Sequence, residues 1–296
     1  MPVDAGLASL SDLLFAAAIV FYGVAVLGYT AEYVTVGRRR PTRVLTSVGR
    51  TVTAETPRDA AERARPSTVG TRLGLLAALV TAAGVATQIA SLVARGLAAD
   101  RVPWGNMSEF IAAICIVGVL AWLVLATRQP VRHLGAFVLL PVLTLLSVAG
   151  TSVYSPAGPL MPALNSYWRK IHVSFAAVAS GIFLVGFVAA ALYLIRHSYQ
   201  TRLAAGRPLR FRATVGARLP AAQSLERITF RLHAVAFPTW TVAIILGAVW
   251  AEAAWSRYWG WDPRRPGLSS PGSSTPPTST RAPHPGGAGT ARAESR

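Results

Sequence analysis

A single cysteine, Cys115, in a chain of 296 residues excludes an internal disulfide and any CxxC redox or zinc motif. Lying inside an apolar run, it reads as a small core hydrophobe. Charge is nearly as scarce. Only 14% of the residues are charged against 52% hydrophobic, and that leaves too little polar surface to cover a soluble protein of this length. Apolar runs long enough to cross a hydrocarbon core of about 30 Å as helices occur six times. They lie near Leu10–Tyr29, Leu73–Ala94, Phe110–Ala126, Leu134–Gly150, Val173–Ile195 and Ala234–Ala254. The expected fold is all-α, a polytopic membrane helical bundle of about six transmembrane helices.

Other absences narrow the class. The opening MPVDAGLASLSD lacks a positive n-region, so the first span reads as a retained anchor and not as a cleaved signal peptide. Charge is missing from the interior of the six runs, which weakens a proton-coupled transporter. The net charge of +17 invites a nucleic-acid reading, but no basic segment carries interleaved aromatics for base stacking. The arginines instead follow the loops. Nine fall between Arg38 and Arg72, two at Arg128 and Arg132, and eight between Arg196 and Arg231, while the opposite loops hold only Arg95, Arg101, Arg169, Lys170 and Arg257. By the positive-inside rule the rich loops are cytoplasmic, which puts the N-terminus and the C-terminal end of the sixth span on the outer face of the cell membrane. The expected organisation is an anchor at 1–36, a basic cytoplasmic loop at 37–72 suited to anionic lipid, a membrane domain at 73–263, and a tail at 264–296.

What is present in excess is tryptophan. The segment WAEAAWSRYWGWD, Trp250 to Asp262, holds Trp250, Trp255, Trp259 and Trp261 with Tyr258 at the outer end of an apolar helix. Interfacial belts use one or two such residues without any ligand. Four in thirteen positions suggest wide apolar faces for a large flat ligand, with Gly260 letting the chain turn between two rings. Arg257 could pair with a carboxylate of that ligand. Asp262 and Glu252 read as local hydrogen-bonding or capping acids. His172, at the start of the fifth span on the same side, offers an imidazole that can ligate iron. His233 starts the sixth span on the other side and reads as an interfacial or capping histidine. His133 and His197 sit in or beside basic loops and are expected to be solvated. Trp104, Asn106 and Glu109 form another external block, open between a second wall of the site and an aromatic belt with a helix N-cap.

WAEAAWSRYWGWDP resembles the tryptophan-rich WWD signature of the haem-handling proteins of cytochrome c maturation, most closely the CcsA/ResC type, called CcsB in some bacteria. VPWGNMSEF at 102–110, SYWRKIHVSFAAVASG at 166–181 and FRLHAVAFPTWT at 230–241 resemble the flanking blocks of that family in the same order. The resemblance implies haem b bound as substrate beside the aromatic platform, with His172 as one of two external axial ligands. It implies delivery of that haem to the CxxCH segment of an apocytochrome c, with a ResB-type membrane subunit as partner, in system II maturation. A haem or small-molecule exporter without covalent chemistry, and a non-functional fragment, are the alternatives.

The resemblance stops after Pro263. The family continues WDPKETW, then a helix ending in a YLHAR-like segment and a loop with a second external histidine, whereas here WDP is followed by RRPGLSS. From Arg264 onward the only large aliphatic residue is Leu268, so the segment cannot bury enough surface to order itself. One permissible coding of Arg264–Arg281, read two bases later, gives ETWSFITWVVYAAYLHA. The expectation is that one base is lost near the Lys codon due after Pro263, leaving 264–296 out of frame and two family histidines missing. A haem lyase component is then the expected activity only with that C-terminus restored.

Overall fold

Six long helices build the computed structural model, which describes residues 3–37, 68–129, 131–158, 166–206, 215–256 and 258. All of these belong to the unit Met1–Trp259. Most of the basic loop 37–72 and all of the tail 264–296 lie outside the described residues. In chain order the helices are α1 (Ala5–Gly37), α2 (Thr68–Ala98), α3 (Met107–Arg128), α4 (Gly135–Thr151, entered through a 3-10 turn at Arg132–Leu134), α5 (Tyr167–Ala204) and α6 (Ala222–Trp255). Among the described residues six segments are long and apolar enough to cross a membrane, and the fold is all-α, consistent with a polytopic membrane bundle.

Each helix covers its apolar run and extends past it. α1, α2, α5 and α6 contain 33, 31, 38 and 34 residues. At about 1.5 Å per residue they exceed a 30 Å core by a wide margin. Arg95 and Arg169, expected in loops, therefore sit on helices, and the neighbouring helices bury them together with Glu32 and Glu109. His133, expected to be solvated, instead stacks on Tyr33 at 6.4 Å, because the 3-10 turn folds it against α1.

α1 and α2 run antiparallel, with the amide of Asp4 donating to Ala98 O at 3.1 Å. Polar side chains line their seam: Ser91 Oγ donates to Ser11 O at 2.7 Å, and Tyr22 Oη to Gln88 Oε1 at 2.6 Å. Gln88 Nε2 reaches on to Ala112 O of α3 at 3.0 Å. Such intramembrane polar contacts average only about 0.6 kcal/mol each, so close packing carries most of the stability. The main core joins α1 to α4 through Tyr22, Tyr29, Cys115, Val119, Leu139, Val142 and Leu146, with Cys115 free and buried. A second core of Trp122, Val185, Val188, Leu192, Leu225 and Ile228 ties α3 and α5 to the first turns of α6. Beyond those turns α6 packs against α5, leaving Phe230, Phe237, Ile244 and Ile245 exposed as an apolar face.

The helices alternate in direction. The start of α1, the end of α2, the starts of α3 and α5, and the end of α6 consequently share one end of the bundle, the tryptophan end. The α3/α5 crossing depends on Gly181, where an added Cβ would lie 2.6 Å from Val117 Cβ and 2.8 Å from Ile114 O. Gly181→Ala is expected to cost about 1–3 kcal/mol by overpacking against a backbone carbonyl that cannot move aside. Gly23→Ala, with nothing within 4 Å, should leave the thermal midpoint in detergent unchanged or slightly raised.

Candidate functional site

α5 begins at Tyr167, so His172 lies in its second turn and turns toward α6. The imidazole stacks on Trp250 with centroids 6.3 Å apart and planes 14° apart. Trp250 in turn meets Trp255 at 4.9 Å with a 60° tilt. His172 Nδ1 lies 2.7 Å from Ala243 O. A carbonyl oxygen only accepts, so Nδ1 carries a proton, and in the neutral form of the ring the lone pair lies on Nε2. A histidine whose Nδ1–H is held by a carbonyl is oriented and made more basic for metal binding.

Gly247 makes the stack possible. A Cβ there would meet His172 Cε1 at 2.8 Å and Nδ1 at 2.9 Å, so the ring occupies the notch left by the missing side chain. The indole Nε1 of Trp250 is buried without a hydrogen-bond partner, so Trp250 contributes to the stack by ring packing. α6 stops at Trp255 because Ser256 adopts a left-handed conformation, φ 53°, its amide donating to Glu252 O at 2.7 Å. Glycine is the usual residue at such a cap, and serine tolerates it at a cost of about 1–2 kcal/mol. Trp255 and Tyr258 are exposed just before and after this break, while Arg257, Trp259, Trp261 and Asp262 lie outside the described residues.

Trp104 reaches this end through its backbone: its carbonyl accepts from Arg169 Nη1 at 3.0 Å, one turn before His172 on α5. Its indole Nε1 is buried without a partner. Asn106 is the N-cap of α3, its Oδ1 accepting from the amide of Glu109 at 2.9 Å. Glu109, read as an acid of the first helical turn, has larger duties. Its carboxylate takes Arg95 Nε at 3.1 Å and Arg101 Nη1 at 2.8 Å, a pairing that local sequence hides because the guanidiniums come from another helix and the connecting loop. The Asn-x-x-Glu spacing was the available signal.

His233 does not cap a helix. It sits twelve residues into α6, with Nδ1 2.8 Å from Thr229 O and its ring edge-on to Phe183 at 5.5 Å. It fills a notch at Gly186 on α5, where a Cβ would lie 2.7 Å from Cε1. The α5/α6 seam thus holds two histidines, each against a glycine of the opposite helix, about 21 Å apart at 14 residues' rise. His197 is exposed and stacks on Tyr193 at 5.8 Å.

Among the described residues no three His, Cys, Asp or Glu side chains cluster as a metal cage. The site offers one nitrogen lone pair on an aromatic floor, which suits a metal whose other positions are already filled by a planar ligand. Gly247→Ala is expected to destabilise the chain by about 1–3 kcal/mol by displacing the imidazole. Adding His172→Ala to that variant should recover much of the loss, since the clashing partner is gone; a double-mutant cycle on unfolding midpoints measures the coupling.

Residues 104–266 match the family described as cytochrome C assembly protein. The cytochrome c biogenesis protein CcsA of Guillardia theta is 34% identical over 116 residues, covering 36% of this chain and 38% of the relative. Its namesake in Gloeobacter violaceus is 30% identical over 227 residues, covering 58% and 64%. That of Gloeothece citriformis is 32% identical over 217 residues, covering 59% and 66%. In each comparison the chain spans less than two thirds of the relative's length. The family match takes in both the Trp104 block and the His172–Trp250 stack and more than half of the sequence, and the chain belongs to the cytochrome c assembly protein family.

Proposed function

We propose that the chain binds haem b as substrate at the tryptophan end of α5 and α6, for covalent attachment to apocytochrome c in system II maturation. The observation that carries this reading is the His172 ring, held through Nδ1 by Ala243 O and stacked on Trp250, so that Nε2 is the nitrogen left for a ligand. A porphyrin fills the four equatorial positions of its iron, so the protein must supply axial nitrogens and apolar faces. His172 supplies the first. Trp250, Trp255, Tyr258, Trp259 and Trp261 supply the second, Arg257 pairs with a propionate, and Asp262 serves the local backbone. The relatives' naming as cytochrome c biogenesis proteins supports the same reading.

In this reading the tryptophan end faces outward across the cell membrane, as the arginine bias of the loops favours. The bound haem presents its vinyl groups to a CxxCH segment, and each thiol adds across one vinyl group, forming one C–S and one C–H bond with nothing released. A ResB-type membrane subunit is the partner. We further propose that 264–296 is an out-of-frame reading, because one permissible coding of Arg264–Arg281, read two bases later, yields ETWSFITWVVYAAYLHA. The second axial histidine would then belong to the restored frame, and haem iron held by His172 alone should be weakly bound and open to exchange.

Two measurements test these proposals. Purified in detergent from haem-replete cells, the chain should show a haem absorption band that falls by about tenfold or more in His172→Ala. An undiminished band sinks the assignment, and transport of haem without any cytochrome partner would favour an exporter. Independent nucleotide sequencing across Pro263–Arg264 should reveal one additional base; its absence removes the frame proposal and leaves the haem proposal to the spectrum.

A further inference from the structure

The densest set of interactions outside the histidine stack surrounds Glu109. Its carboxylate, buried at 2% residue exposure, accepts five hydrogen bonds. Oε1 takes Arg95 Nε at 3.1 Å, Arg101 Nη2 at 3.0 Å and Asn106 Nδ2 at 3.2 Å. Oε2 takes Arg101 Nη1 at 2.8 Å and the amide of Gly105 at 2.6 Å. Capping the first turn of α3 requires none of them, since Asn106 Oδ1 already takes the Glu109 amide.

The extra bonds have a direction. Arg95 also pairs with Asp12 Oδ1 of α1 at 3.1 Å and donates to Ser155 O, while Arg101 Nε donates to Gly158 O at 2.8 Å. Gly105, lacking a side chain, leaves the space that the Arg101 guanidinium occupies. The loop between α2 and α3 is therefore fixed from both sides, and the residue it presents is Trp104. The Trp104 carbonyl holds Arg169, itself buried, and Arg169 stands one helical turn before His172. A chain of contacts thus runs from the Glu109 carboxylate through Arg101 and Gly105 to the backbone of Trp104, to Arg169, and so to the turn of α5 that carries the histidine.

We infer that Glu109 is a positioning residue for the His172 site: it fixes the Trp104 loop that clamps the start of α5 and so sets the aim of the imidazole. The inference rests on the haem reading above. The carboxylate is needed for its charge and for its two acceptor oxygens. A glutamine of the same shape offers one acceptor and points two N–H groups at guanidiniums that have nothing to accept them. Asparagine at the same place would lack the reach as well, whereas aspartate keeps the charge at shorter range.

The test compares Glu109→Gln, Glu109→Asp, Arg169→Gln and His172→Ala in the full chain, purified from haem-replete cells. It reads haem per protein, the thermal midpoint, and the electron paramagnetic resonance signature of the ferric iron. In Glu109→Gln the iron's signature is expected to shift and haem occupancy to fall about tenfold, the range found for partners of metal-ligating residues. Arg169→Gln should reproduce the shifted signature, since it removes the last link, and Glu109→Asp should partly restore the native one. Arg169→Gln also keeps the test available if Glu109→Gln does not accumulate. Native occupancy and signature in Glu109→Gln or Arg169→Gln, with the band lost in His172→Ala, overturn the positioning role alone. A native band in His172→Ala overturns the haem reading and the positioning role with it.

Discussion

A carboxylate taken into an apolar bundle must find its countercharges there, because a buried charge left alone costs several kcal/mol even after relaxation. Glu109 meets that condition with two arginines, one from α2 and one from the α2/α3 loop, and the arrangement of the tryptophan end follows from the demand. Arg95 can serve only if α2 ends beside the start of α3, and its remaining donors then draw in α1 through Asp12 and the segment after α4 through Ser155. Tyr154 closes the ring, donating to Asp12 Oδ2 at 2.7 Å beneath the Arg95 guanidinium. Replacing such a cluster wholesale with apolar groups can be neutral, but removing one partner is severe, so the cluster specifies geometry more than it adds stability.

The α5/α6 pair is built by a different rule. It has no ion pair among the described residues; beyond the apolar contacts at the first turns of α6, rings lodge in glycine notches, His172 at Gly247 and His233 at Gly186. Small residues let two membrane helices approach closely where no hydrophobic drive distinguishes helix from lipid. The two notches also fix the rings chemically. In each the Nδ1 proton is directed to a main-chain carbonyl, Ala243 across the seam or Thr229 on the same helix. In both, Nε2 is the nitrogen left without that contact, but only His172 has a tryptophan stacked on it.

The parts legible in the sequence were those that local pattern governs. Each of the six apolar runs lies within a helical segment, Asn106 caps α3, Cys115 is a core residue, and His172 meets Trp250. Hydropathy marked where helices cross but not where they end, because helix hydrogen bonding continues past the apolar stretch as long as polar side chains find partners. Arg95 and Arg169 were thus read as loop charges although both are helical and buried. The pairing of Glu109 was invisible for a related reason: its partners lie 8 and 14 residues upstream, and only the fold of the loop brings them back. His133 was misjudged by the company it keeps in sequence, as was the capping role offered for His233, since nearby arginines say nothing about the aromatic ring supplied by another helix.

The two construction rules meet at His172, and their difference bears on how the site would behave. On one side α5 is clamped through Arg169 to a loop that the ion cluster holds rigidly. On the other side α6 rests on α5 with most of its large apolar residues exposed, and its last turn ends in a strained serine cap. One half of the site is preorganised and the other is free to adjust. A flat ligand gripped between them would stabilise the α5/α6 pair by its preference for the closed arrangement, and the gain would grow with ligand concentration as binding linkage requires. If the proposed haem binding holds, the ligating nitrogen would come from the helix that the ion cluster clamps and the aromatic floor from the helix with the exposed apolar face, an order that would hold the metal's position while the ring faces accommodate entry and release.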